Sequence, residues 1–144
     1  MVAGFIVASI VMMIFEFINS FFFPLPKDLD WMNPEAVKAV TASLPWTAYI
    51  LVLLGWGVGA FEGGCTTAWL AGLPAQAGEK QFRATTILAV LLVLAGIADM
   101  MMLGFPLVPM VLGLLILAVA PYGGFTALTM FERKKRASMA AAIH

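Results

Sequence analysis

Four stretches of this chain, each about as long as a bilayer is thick, carry almost no charge, and that leaves few folds open to it. A bilayer core demands roughly 20 consecutive apolar residues in a helix. No water is present there to satisfy backbone polar groups, so isolated spans fold as helices. The stretches run from about Val2 to Phe23, Pro45 to Ala71, Ala84 to Leu103 and Pro109 to Phe131. Apolar residues make up 62% of the 144 and charged residues 11%, against roughly 45–50% and 25% in a soluble domain. A water-soluble globule of this length cannot hide so much apolar surface. The expected fold is all-α, one integral-membrane four-helix bundle over residues 1–144.

The first stretch lacks the basic leader and small-residue cleavage site of a signal peptide, and it reads as a retained span ended by Phe23-Pro24-Leu25-Pro26. Pro45 suits the first turn of the second span, and Pro121 predicts a kink in the fourth. Basic residues then set the direction. Lys80 and Arg83 lie between spans two and three, and Arg133, Lys134, Lys135 and Arg136 follow span four. The loop of residues 24–44 holds only Lys27 and Lys38, offset by Asp28, Asp30 and Glu35, and the turn at Gly104-Phe105-Pro106 is uncharged. The positive-inside rule therefore places both termini in the cytoplasm. Trp31, Trp46 and Tyr49 are expected at the outer interface, and Trp69, Phe82 and Phe131 at the inner one. Asn33-Pro34-Glu35 reads as an N-cap, a first-turn proline and an acidic first turn. A short interfacial helix over about Pro34 to Ser43 should follow, with Val37 and Val40 facing down.

Span two carries two rows of small residues. Gly55, Gly59 and Gly63 recur every four residues with Thr67 next in line; Ala60, Gly64, Ala68 and Gly72 form a second row beside them. Such ridges let helix backbones approach closely, which is how membrane helices associate without a hydrophobic driving force between them. They fit packing within the chain or against another membrane protein.

Three acids fall inside spans: Glu16, Glu62 and Asp99. Each costs roughly 2.5–3.5 kcal/mol near the bilayer centre on insertion scales, so each needs a partner, a water-filled cavity or a proton. Glu16 shares a helix face with Asn19 and Ser20, and Asp99 follows Gly96 on a face of span three. Glu16 and Asp99 lie at about equal depth, and Glu62 nearer the middle. No lysine or arginine occupies a span, so three readings stay open. The acids are neutral polar glue, with Asn19 or Ser20 as acceptors; they form a proton- or cation-responsive site; or a partner protein brings the missing basic residue.

Other chemistry is thinly represented. The single cysteine, Cys65, has no base beside it and reads as an inert buried thiol rather than a nucleophile. The single histidine, His144, is the last residue, which argues against imidazole-bound haem, copper or zinc. The ten methionines read as apolar filler in preference to a soft-metal site. No cofactor is expected, and with eight basic and eight acidic residues there is no surplus of charge to attract nucleic acid. Arg133, Lys134, Lys135 and Arg136 most simply anchor the last span at anionic lipid headgroups, with a docking role as the other reading.

Phe23-Pro24-Leu25-Pro26, Asn33-Pro34-Glu35 and the run Leu53-Leu54-Gly55-Trp56 through Gly59-Ala60-Phe61 to Gly63-Gly64, extended by Ala68 through Ala71-Gly72, resemble a family of small, uncharacterised bacterial four-span membrane proteins. The resemblance covers most of the first half and implies a bacterial inner-membrane location without bringing a reaction or ligand. Glu62 stands where that pattern has a less polar residue. Glu16 in the first span is also similar to the glutamate of the small multidrug exporters, although the loop of residues 24–44 and the chain itself are longer than in that family. Taken together, the expected role is non-enzymatic: an accessory or assembly subunit of a larger inner-membrane complex, bound to other membrane proteins or to itself through helix packing. The alternative is a small proton-coupled transporter or ion-conducting oligomer using the intramembrane carboxylates.

Overall fold

The structure, a computed structural model, describes residues 1–71 and 77–141; Gly72 and His144 lie outside them. The chain is all-helical among the described residues, with α1 (Val2–Phe22), α2 (Pro34–Ser43), α3 (Trp46–Ala71), α4 (Ala77–Leu103) and α5 (Leu107–Ala141) in order. Four of these, all but α2, are long and apolar enough to cross a membrane. The protein is a multi-pass membrane protein built as a helix bundle.

Local chemistry explains the ends. Helix α1 closes with the Phe23 N–H donating to the Asn19 carbonyl at 2.9 Å, just before Pro24. Helix α2 is capped by Asn33, whose Oδ1 accepts from the Glu35 and Ala36 N–H groups at 3.1 and 3.3 Å. The α4–α5 turn depends on Gly104, in the left-handed region at φ 66°. There its N–H and that of Phe105 return to the Met100 carbonyl, the usual close of a helix on glycine. A side chain at Gly104 would also strike Lys38 of α2.

Two helices are longer than the hydropathy pattern predicts. Helix α4 starts at Ala77 rather than Ala84, so Lys80 and Arg83 lie on its first turns instead of in a loop. Arg83 reaches Glu79 at 2.9 Å one turn back, and buried Gln81 donates to the Ala68 carbonyl at 3.0 Å, in the last turn of α3, where helix carbonyls call for partners from outside the helix. Helix α5 continues past Phe131 through the basic cluster to Ala141, and it runs through Pro121.

The packing is lopsided. Helix α3 is central, with α1 along one side and α4 and α5 along the other. Helix α1 meets α4 only over a short stretch and does not pack on α5, so a cleft opens between α1 and α4. Both glycine rows are used within the chain. Gly59 and Gly63 lie against the Ala8 and Gly4 carbonyl oxygens of α1, so close that an added Cβ would fall at 2.8 and 2.7 Å. Gly64 lies against Pro121 of α5, and Gly124 of α5 against the backbone at Phe61 and Cys65. Gly55 faces Phe15, and Ala60 and Ala68 are fully buried.

Candidate functional site

The cleft takes its floor from Trp56. This indole is only 3% exposed, and it fits because Gly113 of α5 leaves a notch for it, while Gly96 of α4 makes room for Leu117. A Cβ at Gly113 would fall 2.8 Å from its ring. Phe105 stacks on it with ring centres 5.9 Å apart, and Tyr49 meets Phe105 edge-on at 5.4 Å. Tyr49 is thereby buried, and its hydroxyl donates to the Thr41 carbonyl, tying α2 to α3. The sequence presents Trp56 only as a bulky residue inside a glycine run; the signal for its role is that same contrast of size, repeated at Gly113.

Glu16 from α1 and Asp99 from α4 open into the cleft on either side of this floor. Both line a cavity of about 350 Å³ that extends toward α2 and is closed there by Val37, Val40 and Thr41. Both also line a second cavity of about 230 Å³, which runs toward the terminal end past Met12, Ser9 and Phe5. Trp56 borders the two cavities as well. Glu16, Trp56 and Asp99 are thus the three residues that the cleft shares along its length between α1, α3 and α4. Asn19 and Ser20 line the larger cavity too. The Ser20 hydroxyl donates to the Phe17 carbonyl at 2.7 Å, while the Asn19 Oδ1 is buried with no donor. Among the described residues no basic side chain lines either cavity, and Lys38 on α2 turns to Glu35 at 3.7 Å.

Glu62 is not part of this site. It is exposed on the face of α3 that also shows Leu54, Val58 and Trp69, away from the cleft. Cys65, half-buried, donates to the Gly124 carbonyl at 3.3 Å in the α3–α5 contact. Arg133, Lys134, Lys135 and Arg136 project from the end of α5 that extends beyond its apolar part. The structure thus brings together Glu16, Asn19 and Asp99, and separates Glu62 from them.

What this arrangement offers chemically is a pair of acceptor carboxyls lining the same two cavities, with an aromatic floor and a mainly apolar wall. Such a pair can hold a proton between its members or a cation in the proton's place. Set beside known proteins, the chain matches no protein-family description, no curated protein and no solved structure.

Proposed function

We propose that this protein is a small proton-coupled membrane transporter, with Glu16 and Asp99 as the groups that exchange a proton for a cation. The observation that carries the reading is the meeting of two intramembrane acids, from helices that otherwise scarcely touch, in one cleft without a basic residue. Intramembrane acids are costly and mark ion or proton pathways more often than not. The weak α1–α4 contact supplies a place where the structure can open without breaking the α3–α5 core. No bond-making step belongs to this role, and the reading is of a non-enzymatic protein.

Its setting is the bacterial inner membrane with both termini cytoplasmic. Lys80, Arg83 and the Arg133–Arg136 cluster stand at the end of the bundle that carries the termini, while Lys27 and Lys38 at the α2 end are offset by Asp28, Asp30 and Glu35.

The test is proton movement in proteoliposomes loaded with a pH-sensitive dye and challenged with gradients of alkali cations and organic ammonium ions. At least one cation class is expected to drive proton efflux, lost in Glu16→Gln and Asp99→Asn and kept in Glu62→Gln. Flux that survives both cleft substitutions, or none with any cation, overturns the reading.

A second reading, an accessory subunit of a larger membrane complex, is favoured by one observation: exposed Glu62 on a face with Val58 and Trp69. A partner covering that face would spare the carboxyl its exposure to lipid. The glycine rows, both filled by α1 and α5, lend this reading no support. Purification in mild detergent decides it: a stoichiometric companion supports a subunit, and a lone monomer or homodimer rejects it.

A further inference from the structure

We infer that the cleft binds an amphipathic primary ammonium ion, with its charged end between Glu16 and Asp99 and its apolar body against Tyr49, Trp56 and Phe105. The inference deepens the transporter reading and rests on it for treating the cleft as a substrate site. Charge complementarity comes first: among the described residues the larger cavity holds two carboxyls and no basic side chain, so its missing charge is positive. Size comes second. Its volume of about 350 Å³ falls at the lower end of the roughly 300–1,000 Å³ of small-molecule pockets.

The walls then separate one cation from another. A calcium or magnesium ion wants six or more oxygen ligands, whereas beyond the two carboxyls this cavity is mainly aliphatic and aromatic, with Val52 and Leu103 beside the rings. A small inorganic ion would have to carry most of its hydration into an apolar space. An organic cation replaces that water with its own apolar body, and ring faces add a favourable electrostatic contact with its charge.

The polar groups narrow the headgroup. A primary ammonium has three N–H donors and no acceptor. Glu16 and Asp99 can take two of them, and Asn19 and Ser20 line the same cavity wall. A quaternary ammonium offers no N–H and leaves these acceptors unmet. A lipid tail in the cleft would leave both carboxyls facing hydrocarbon.

The test is equilibrium binding to the full chain in zwitterionic nanodiscs. The probes are 2-phenylethylammonium, the neutral 2-phenylethanol and the trimethylated quaternary analogue. Saturable binding of the primary ammonium is expected, weaker by about tenfold or more for the other two. That is the scale of losing a hydrogen bond to a charged group. Glu16→Gln and Asp99→Asn should each weaken it by about tenfold or more, and Glu62→Gln should leave it unchanged. Either cleft variant suffices should the other not fold. Equal binding of the alcohol, binding that ignores both cleft substitutions, or no saturable binding overturns the inference. The two claims fail separately: binding without coupled proton movement removes the transporter and keeps the site, while flux driven by another cation class, with no binding here, removes the ammonium and keeps the transporter.

Discussion

The α3–α5 contact can be probed by one substitution made at two glycines of the same helix. Gly64 lies so near α5 that an alanine Cβ would stand 2.7 Å from the Pro121 Cα and 2.8 Å from its carbonyl carbon, with the carbonyl oxygen nearer still. All three are backbone atoms and cannot rotate away. Ordinary contact begins at 3.4 Å, so α3 and α5 must part by at least 0.7 Å (3.4 less 2.7) to clear the Pro121 Cα, and by more to clear its carbonyl oxygen. A gap of that order forfeits about a quarter to a half of the dispersion energy of each contact it opens. The neighbouring Gly124, itself against the Phe61 backbone, opens with it. Overpacking of this kind costs about 1–3 kcal/mol, and the rigid neighbours put Gly64→Ala near the top of that range. The gain in helix propensity returns about 1 kcal/mol, which leaves a net loss of about 2 kcal/mol. At Gly57 the nearest atom is the Ile116 Cγ2 at 3.5 Å, an ordinary contact on a side chain, so Gly57→Ala keeps the propensity gain of up to about 1 kcal/mol. Unfolding by SDS in mixed micelles, followed by circular dichroism, reads both. A Gly64→Ala protein as stable as the wild type or as Gly57→Ala would refute the account of this interface.

Gln81→Leu removes the donor to the Ala68 carbonyl and should destabilise the protein by about 1–3 kcal/mol in the same unfolding assay, as expected when a buried acceptor loses its partner. Asn33→Ala deletes the α2 cap and should cost about 1 kcal/mol, seen as faster amide exchange over Pro34–Ser43 while the four long helices keep theirs. Glu62→Leu, on an exposed face of α3, should be neutral or stabilising in bilayers, since it replaces a lipid-facing acid with an apolar side chain; marked destabilisation on insertion or unfolding would show that Glu62 has an unrecognised partner.

How much could be read in advance depends on which force fixes each feature. The four spans and α2 were legible, because hydrocarbon selects long apolar stretches and Asn33-Pro34 is a local start signal. The beginning of α4 and the end of α5 were not, because hydropathy marks where lipid stops and not where a helix does. Glu79, Arg83 and the basic cluster are all acceptable helix residues. The spacing of Gly55, Gly59 and Gly63 beside Ala60, Gly64 and Ala68 announced close packing on two faces, but α1 and α5 as the respective partners follow from tertiary arrangement. The equal depth of Glu16 and Asp99 could be counted along the chain. That they share a cleft while Glu62 faces elsewhere depends on how each helix is rotated about its axis, which the small residues of several helices set together. The partners of Tyr49 follow from the same arrangement: a tyrosine near a span end suits the membrane interface, and here the Thr41 carbonyl and the Phe105 ring hold its side chain between helices.

The shared cleft of Glu16 and Asp99 is most directly tested by the infrared carboxyl bands of the protein in lipid, assigned by Glu→Gln and Asp→Asn substitution. Asp99→Asn should shift the Glu16 band and Glu16→Gln the Asp99 band, with Glu62→Gln moving neither. A Glu16 band indifferent to Asp99→Asn, or one that responds to Glu62→Gln instead, would contradict the central claim.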